Sequence, residues 1–294
     1  MDNIDIEHLK ERIHQALEED IRTGDITTQC VTEFSPHAQA EIVAKQDGIL
    51  AGISVAELVF TSLEPPLDVV KKSQDGEEVT TGQQLLTLEG SGATILQAER
   101  LALNLLGRLS GIATLTRQYV DSVNGTNAKI LDTRKTTPLW RDLEKYAVRM
   151  GGGKNHRMGL YDMVLIKENH IRWAGGITPA LEQCMTFLKS RDMNVKVEIE
   201  VTDLKELQEA LNFPVDRVLL DNMSPQEVSE AADINAGRAQ LEVSGGITLN
   251  SIRDFAETGI DYISIGALTH SVSSFDLSLL FLTENLQPGE LAGK

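Results

Sequence analysis

Residues 195–221 read VKVEIEVTDLKELQEALNFPVDRVLLD, which is an apolar run, a helical segment and a second apolar run in succession. The two runs are residues 195–201 and Arg217–Asp221, and residues 204–211 between them have helical composition. Strands that alternate with helices are typical of parallel sheets with right-handed crossover connections. This stretch therefore predicts an α/β fold for the surrounding chain.

The same alternation continues on both sides, from about residue 128 to residue 267. Further predicted strands are residues 129–132, 163–167, 240–244 and 262–266, and residues 226–232 and 249–258 have helical composition. About six parallel strands are fewer than the eight of a standard barrel. The pattern leaves two alternatives open, an incomplete barrel and an open doubly wound sheet.

The first hundred residues have a different pattern. Apolar residues recur at helical spacing over residues 5–19, and a longer helical pattern begins near Ala93. Short strand-like runs lie between them, at residues 40–44, 67–70 and 84–88. This half is predicted to be an α+β domain with an antiparallel sheet.

Composition excludes several classes of protein. The 294 residues carry a formal net charge of −17, which argues against nonspecific binding to nucleic acid or to an anionic membrane surface. Residues 1–10 lack the apolar segment of a secretory signal, and no apolar run approaches the roughly 20 residues of a membrane helix. Cys30 and Cys184 are far apart and have no metal-ligand spacing. We expect a reduced, cytoplasmic protein.

Basic residues are concentrated in one segment of this acidic chain. Residues 132–172 contain nine Lys/Arg and five Asp/Glu, which predicts a focused anion-binding site. Arg141, Lys145 and Arg149 recur at helical spacing after Pro138, so at least two of them are expected on a solvated helix face.

Polar residues and glycines follow each predicted strand, where parallel α/β folds place their sites. In chain order they are Thr133-Arg134-Lys135, Lys167, Glu200, Asp221-Asn222, Ser244-Gly245-Gly246 and Gly266-Ala267. For any single residue the alternative is that strand ends are simply in contact with water. For Glu200 the alternative is an ion pair that only neutralises a lysine or an arginine. Carboxylates beside a cationic pocket suit Mg²⁺, ribose hydroxyls or positive charge that develops on a sugar carbon.

Two glycine-rich segments are candidates for anion binding. Gly151-Gly152-Gly153 precedes Lys154-Asn155-His156-Arg157, and backbone N–H groups there could meet an anion, although a flexible linker would explain the glycines equally well. The spacing matches neither a dinucleotide fingerprint nor a P-loop. The Ser244-Gly245-Gly246 segment is predicted to join a strand to a helix, so that the helix N-terminus could face a phosphate.

These segments together resemble the quinolinate phosphoribosyltransferase family over most of residues 99–267. The matching segments are ER at 99–100, LN at 103–104, SGIAT at 110–114, LDTRKTTP at 131–138, EKYAVR at 144–149, GGG at 151–153, NHR at 155–157, LIKENH at 165–170, VEIEV at 197–201, LLDN at 219–222 and SGGI at 244–247, with ED at 19–20 and GDITT at 24–28. Two departures are Leu139-Trp140, where glycine then leucine is expected, and Glu168 in place of aspartate.

The resemblance implies an α/β protein with two domains. Residues 1–110 would form an N-terminal α/β sandwich, on which the tail 276–294 could pack, and residues 111–275 an incomplete, about six-stranded parallel barrel. The activity implied is transfer of phosphoribose from phosphoribosyl pyrophosphate to quinolinate with decarboxylation, in NAD biosynthesis. It requires Mg²⁺ and no redox cofactor. The assembly implied is a homodimer or larger, in which Arg100 completes the neighbour's active site.

The resemblance also assigns the site residues. The catalytic residues would be Lys135, Lys167, Glu200 and Asp221, and the last two would lie near the ribose and Mg²⁺, partly through water or substrate. The substrate-binding residues would be these four together with Arg100, Thr133, Arg134, His156, Arg157, Ser244, Gly245, Gly246, Ile265, Gly266 and Ala267.

Three rival functions are weighed against this one. A phosphoribosyltransferase that acts on nicotinate or another aromatic acid would share the fold. A barrel aldolase would use Lys167 or Lys135 as a Schiff base, which requires a less cationic site. A noncatalytic binding protein would not need acidic and basic groups to converge at the strand ends.

Overall fold

The structure is a computed structural model that describes residues 4–31 and 37–282. Along the chain the elements are α1 (Ile6–Ile21), α2 (Ile26–Val31), β1 (His37–Ala44), β2 (Gly48–Ile49), α3 (Ile53–Phe60), β3 (Asp68–Lys71), β4 (Glu78–Val79), β5 (Gln84–Ser91), α4 (Gly92–Ser122), β6 (Lys129–Leu131), α5 (Arg141–Met150), β7 (Val164–Ile166), α6 (Glu168–Ala174), α7 (Ile177–Ser190), β8 (Val197–Val201), α8 (Leu204–Ala210), β9 (Arg217–Asp221), α9 (Pro225–Asn235), β10 (Gln240–Ser244), α10 (Ile252–Ala256), β11 (Tyr262–Ser264), α11 (Ala267–His270) and β12 (Leu277–Phe281).

The chain forms two compact units. The first contains the described parts of Met1–Thr114 and Val272–Lys294 together with Asp142–Gly151, and the second contains Leu115–Arg141 and Gly152–Ser271. The sequence placed a domain boundary between residues 110 and 111, a position that lies inside α4.

The first unit is built on a four-stranded antiparallel sheet of order β12-β1-β5-β3. The amphipathic helix α1 buries one stripe, Leu9, Ile13 and Leu17, whereas α3 is apolar on most sides and almost wholly buried. This arrangement confirms the α+β prediction for the first half. Strand β12, which the described part of the 276–294 tail provides, pairs with β1.

Helix α5 contradicts the expectation of a solvated face. Lys145 is completely buried, and Arg141 and Arg149 are half-buried. Within the first unit the helix also brings Glu144 to Arg108, at 2.7 Å, so its charged residues are paired inside the fold.

The second unit is built on a six-stranded sheet of order β6-β11-β10-β9-β8-β7, in which every pairing is parallel. Strands β7 to β11 are adjacent in sequence order, and β6, the first strand, pairs with the last. A doubly wound sheet would instead reverse its order at the middle. The sheet therefore curls towards closure but keeps β6 and β7 as edges, which confirms the predicted incomplete barrel of six strands.

Strand alternation divides the residues of this sheet between two environments. Ile199, Val218, Val243 and Ile263 are completely buried, and the helices between the strands cover such apolar side chains, as α8 does for β8. Those helices begin at sequence-encoded caps: the Asp203 carboxylate accepts hydrogen bonds from the first turn of α8. The alternate positions on the same strands carry charged and polar side chains, except for Leu219.

Among the described residues, no helix combines the length and the apolar character that crossing a lipid bilayer would require.

Candidate active site

The carboxyl ends of β9 and β10 hold an interlocked set of polar groups. Ser244 is paired with Asp221 in the sheet, and its hydroxyl donates to the Asp221 carboxylate at 2.9 Å. Asn222 donates to the other oxygen at 2.7 Å. Gly245 has φ +101°, and a Cβ there would meet the Asn222 side-chain oxygen at 2.1 Å, so only glycine fits. The loop backbone is thereby held close to the carboxylate.

The loop after β10 does not lead directly into a helix. Helix α10 begins at Ile252, after a turn in which the Ser251 amide donates to the Thr248 carbonyl oxygen at 3.1 Å. The segment thus joins a strand to a helix as predicted, but the helix begins six residues after Gly246. Any anion at Gly245 and Gly246 would meet loop N–H groups instead.

Lys167 and Glu200 form an ion pair at the ends of β7 and β8. The Lys167 ammonium donates to the Glu200 carboxylate at 2.6 Å, and the Glu168 amide approaches the other oxygen at 3.3 Å. The Lys167 side chain is 47% exposed, whereas that of Glu200 is 11% exposed. Glu200 thus forms an ion pair with a lysine, and that lysine is itself a predicted substrate ligand.

Lys135 lies against the end of β11. Its carbonyl oxygen accepts from the Thr269 hydroxyl at 2.7 Å, and its amide donates to the Thr133 hydroxyl at 3.1 Å. A Cβ on Gly266 would come within 3.1 Å of the Lys135 side chain. In the loop after β11, Ile265 has a buried side chain and its amide donates to the Leu131 carbonyl oxygen. The next two residues, Gly266 and Ala267, are half-buried.

Arg157 and Arg134 place two positive charges near each other. Burial lowers the pKa of Arg157, and the charge of Arg134 lowers it further, whereas Glu198 and Asp162 oppose the shift. One terminal nitrogen of Arg157 donates to the Met163 carbonyl oxygen at 3.0 Å. Two guanidinium groups that repel each other favour an anion beside them.

His156 reaches the site from the segment that follows the triple glycine. The segment runs beside β6, where Lys154 bridges Leu131, and the buried Asp132 carboxylate accepts from the His156 amide at 2.8 Å. The imidazole Nδ1 accepts from the Arg157 amide at 2.7 Å. Its Nε2 lies 3.1 Å from Glu198 and 3.5 Å from Glu242. Both ring nitrogens therefore face protein groups.

A buried charged cluster lies on the inner face of the strands beneath these residues. It consists of His156, Glu198, Arg217 and Glu242, and we call it the inner cluster. Arg217 donates to Glu242 at 2.6 Å and stacks 4.2 Å above the Tyr262 ring. Burial raises the pKa of Glu198 to about 7, against the opposing charge of Arg217. Burial and the nearby Glu198 raise the pKa of Glu242.

Arg100 lies on α4 in the first unit, whereas the other predicted ligands belong to the second unit. Its side chain is 66% exposed, and the carboxylate of Glu99 is 3.9 Å away. This long contact leaves the guanidinium accessible to another group.

Sequence reasoning missed Asp132 and three members of the inner cluster, Glu198, Arg217 and Glu242. The signal was present in the alternation of residues 197–201, VEIEV, which puts Glu198 and Glu200 on one face of a strand. Glu242 precedes Ser244 by two residues in the same way. A carboxylate two residues before a strand-end ligand on a buried strand was the sign of a second charged layer.

The donor groups suit magnesium only in part. Glu200 and Asp221 offer the carboxylate oxygens that Mg²⁺ prefers. However, within the described ranges the trio of histidine and acidic groups close enough to share one ion is His156, Glu198 and Glu242. Glu200 and Asp221 thus fit an ion whose other ligands are mostly water molecules or substrate oxygens.

The fold and these strand ends define an α/β-barrel protein with a group of cationic side chains at the carboxyl ends of its strands. Two family profiles match, described as the N-terminal and C-terminal domains of quinolinate phosphoribosyl transferase, over residues 25–110 and 112–280.

Relatives agree with the two profiles. The probable nicotinate-nucleotide pyrophosphorylase (carboxylating) of Bacillus subtilis is 43% identical over 92% of this chain and 92% of its own length. The mitochondrial quinolinate phosphoribosyltransferase (decarboxylating) 2b of Nicotiana tabacum is 40% identical over 94% of this chain and 83% of its own. A solved structure of the Francisella tularensis nicotinate-nucleotide pyrophosphorylase superposes with a TM-score of 0.90 at 41% identity, covering 95% of this chain and 98% of that one. The chain belongs to the quinolinate phosphoribosyltransferase family.

Proposed function

We propose that this chain transfers phosphoribose from phosphoribosyl pyrophosphate to quinolinate with decarboxylation, and releases nicotinate mononucleotide, pyrophosphate and carbon dioxide. The observation that carries the proposal is the set of cations at the carboxyl ends of one parallel sheet, in a chain whose net charge is −17. Those cations are Arg134, Lys135, Arg157 and Lys167. Quinolinate carries two carboxylates and its co-substrate several phosphate charges, so both need such a site.

The chemistry requires positioning and charge stabilisation more than acid–base catalysis. The quinolinate ring nitrogen attacks the anomeric carbon as the bond to pyrophosphate breaks, through an oxocarbenium-like state that Glu200 and Asp221 are placed to stabilise. The alkylated nitrogen carries positive charge, and this charge stabilises the electron pair that the departing carboxylate leaves on C2. A proton then replaces carbon dioxide at C2.

Phosphate groups fit the glycine-containing loops. We propose that the 5′-phosphate meets N–H groups of Ser244, Gly245 and Gly246 on one side, and the loop of Gly266 and Ala267 on the other. Magnesium bound to pyrophosphate would mask its charge, and Asp221 and Glu200 would contact that ion through water or substrate.

We further propose that the protein acts as a homodimer or larger assembly. In each site the exposed guanidinium of Arg100 would come from the neighbouring subunit. Its exposed side chain and its 3.9 Å contact with Glu99 support this role, because a surface ion pair of that length contributes little within its own chain.

The cellular location stays a prediction. The sequence favours the cytoplasm, whereas the tobacco relative is named as mitochondrial.

The test is incubation of the protein with quinolinate, phosphoribosyl pyrophosphate and Mg²⁺, with separate detection of carbon dioxide and pyrophosphate. Equimolar release of both is expected. Pyrophosphate without carbon dioxide when nicotinate replaces quinolinate, and no release with quinolinate, would instead identify a nicotinate enzyme. An aldolase would release neither product. The ion pair of Lys167 with Glu200 at 2.6 Å speaks against a Schiff-base lysine, which must first lose its proton.

A further inference from the structure

The two glutamates of the inner cluster each precede a predicted ligand by two residues on the same strand. Glu198 is two residues before Glu200 on β8, and Glu242 is two residues before Ser244 on β10. Both carboxylates are wholly buried. Neither is at the strand ends, so neither is placed to contact substrate. A barrel interior at this depth is normally filled by branched aliphatic side chains.

Within the cluster, hydrogen bonds fix the orientation of Glu242. Arg217 donates to one oxygen of Glu242 at 2.6 Å, the Ser264 hydroxyl donates to the other, and the Tyr262 ring supports the guanidinium. Glu242 is therefore held from two sides. The His156 imidazole lies 3.5 Å from Glu242, and Glu198 is a further neighbour.

The His156 imidazole lies between the buried carboxylates and the Arg157 backbone. Because its Nδ1 accepts from the Arg157 amide, the neutral ring carries its proton on Nε2, which faces Glu198 and Glu242. The ring thus connects the buried carboxylates to the backbone of Arg157. The Arg157 side chain reaches the Met163 carbonyl oxygen beside β7, whereas the phosphate loops follow β10 and β11. Under the proposed function, Arg157 is accordingly assigned to quinolinate and the two loops to the phosphates.

We propose that Glu198 and Glu242 are positioning residues, which hold the His156 ring and through it orient Arg157 for a substrate carboxylate. This inference rests on the proposed function and deepens it. The geometry favours positioning over metal binding, because Arg217 already supplies a positive charge 2.6 Å from Glu242 and would repel a divalent ion. Buried ion networks of this kind add little stability compared with apolar packing, so a role in orientation accounts for them better.

The decisive experiment is a double-mutant cycle of Glu242→Gln with His156→Ala, measured as KM and kcat for each substrate. Alone, Glu242→Gln should raise the KM for quinolinate roughly 10- to 100-fold, as misplacement of a binding group by about 1 Å does. The KM for phosphoribosyl pyrophosphate should change less than about threefold by the same reasoning. In the His156→Ala background the effect of Glu242→Gln should vanish, because it acts through the ring.

Two further variants make the result independent of folding defects. Ser264→Ala removes one hydrogen bond to Glu242 and should raise the quinolinate KM in the same direction by a smaller factor. Asp261→Asn is the matched control, because it loses a carboxylate that accepts from Leu241 at 2.8 Å at the opposite end of the same sheet. It should leave both KM values unchanged.

Three outcomes would overturn the proposal. They are equal changes in both KM values, a Glu242→Gln effect that persists without His156, and a stoichiometric divalent metal that the wild type binds and Glu198→Gln does not. Failure of the proposed function is distinguishable, since the wild type would then release no carbon dioxide from quinolinate. In that case the ¹⁵N spectrum of the His156 ring still tests positioning: Glu242→Gln should shift the Nε2 resonance, and Asp261→Asn should not.

Discussion

Replacement of Lys167 by alanine should impair catalysis far more than folding. The ammonium lies 2.6 Å from Glu200, and its side chain is still 47% exposed, so it is available to an anionic substrate. Loss of a cation paired with a desolvated anion costs about 2–5 kcal/mol. At about 1.4 kcal/mol per factor of ten, kcat/KM should fall roughly 30-fold to several-thousand-fold.

The stability cost of the same change is smaller. Glu200 would keep only the Glu168 amide, at 3.3 Å, and a buried acceptor that loses a partner costs about 1–3 kcal/mol. The exposure of Lys167 places the value near the lower end. Thermal unfolding of each variant should therefore accompany the kinetics, which are measured well below the transition.

A matched control and a double variant separate the two effects. Arg172 pairs with Glu168 at 2.6 Å on the same short helix, but the side chains are 73% and 54% exposed. Arg172→Ala should cost about 0–1 kcal/mol and leave kcat/KM within roughly fivefold. Lys167→Ala combined with Glu200→Gln should recover stability without activity. Turnover of Lys167→Ala within threefold of wild type, or recovery of activity in the double variant, would refute a substrate role for the lysine.

Four other expectations can be tested together. Excess chelator should abolish activity and Mg²⁺ should restore it, because unmasked pyrophosphate leaves poorly; full activity in chelator would exclude a metal-bound substrate. Inactive Arg100→Ala and Lys135→Ala variants should complement after subunit exchange, with activity approaching half of wild type per mixed dimer, and demonstrably mixed but inactive dimers would contradict shared sites. Leu139 has φ +69° and is 76% exposed, so Leu139→Gly should raise the unfolding free energy by up to about 1 kcal/mol in thermal melts. A loss of stability would show that the loop carries no strain. Burial raises the pKa of Glu242 above its ordinary 4.5, so the native state holds a proton that the unfolded chain releases above that pH. Stability should therefore fall as the pH rises from 4.5. Denaturation curves should show a flatter decline for Glu242→Gln, whereas a variant that changes stability equally at every pH should keep the slope of the wild type.

The six parallel strands could be predicted because strands covered on both faces read as apolar runs. All six observed strands fall within the predicted runs. Helix α6 could not be predicted in this way, since none of its residues is buried and no apolar periodicity exists. Helix α10 is shorter than the predicted 249–258, because the turn at Thr248 and Ser251 delays its start.

The strand-end residues were predictable from position alone, because the carboxyl ends of parallel strands meet at one edge. Their partners were not. That Lys167 pairs with Glu200 depends on the register between β7 and β8, and the contact of His156 with Glu242 joins residues that are far apart in the chain. No local pattern specifies such distances. At Leu139, by contrast, local sequence did indicate the backbone conformation: glycine was expected at this position, and Leu139 has the left-handed conformation.

The inner cluster explains how a cationic site can exist before its ligands arrive. Arg134 and Arg157 repel each other, and Glu198 opposes the resulting fall in the pKa of Arg157. The buried Glu198 beneath the site thus compensates part of the charge that would otherwise push the guanidinium groups apart. Such preorganisation lets binding energy stabilise the transition state instead of assembling the site. In this acidic chain, part of the negative charge therefore lies directly beneath the cations at the strand ends.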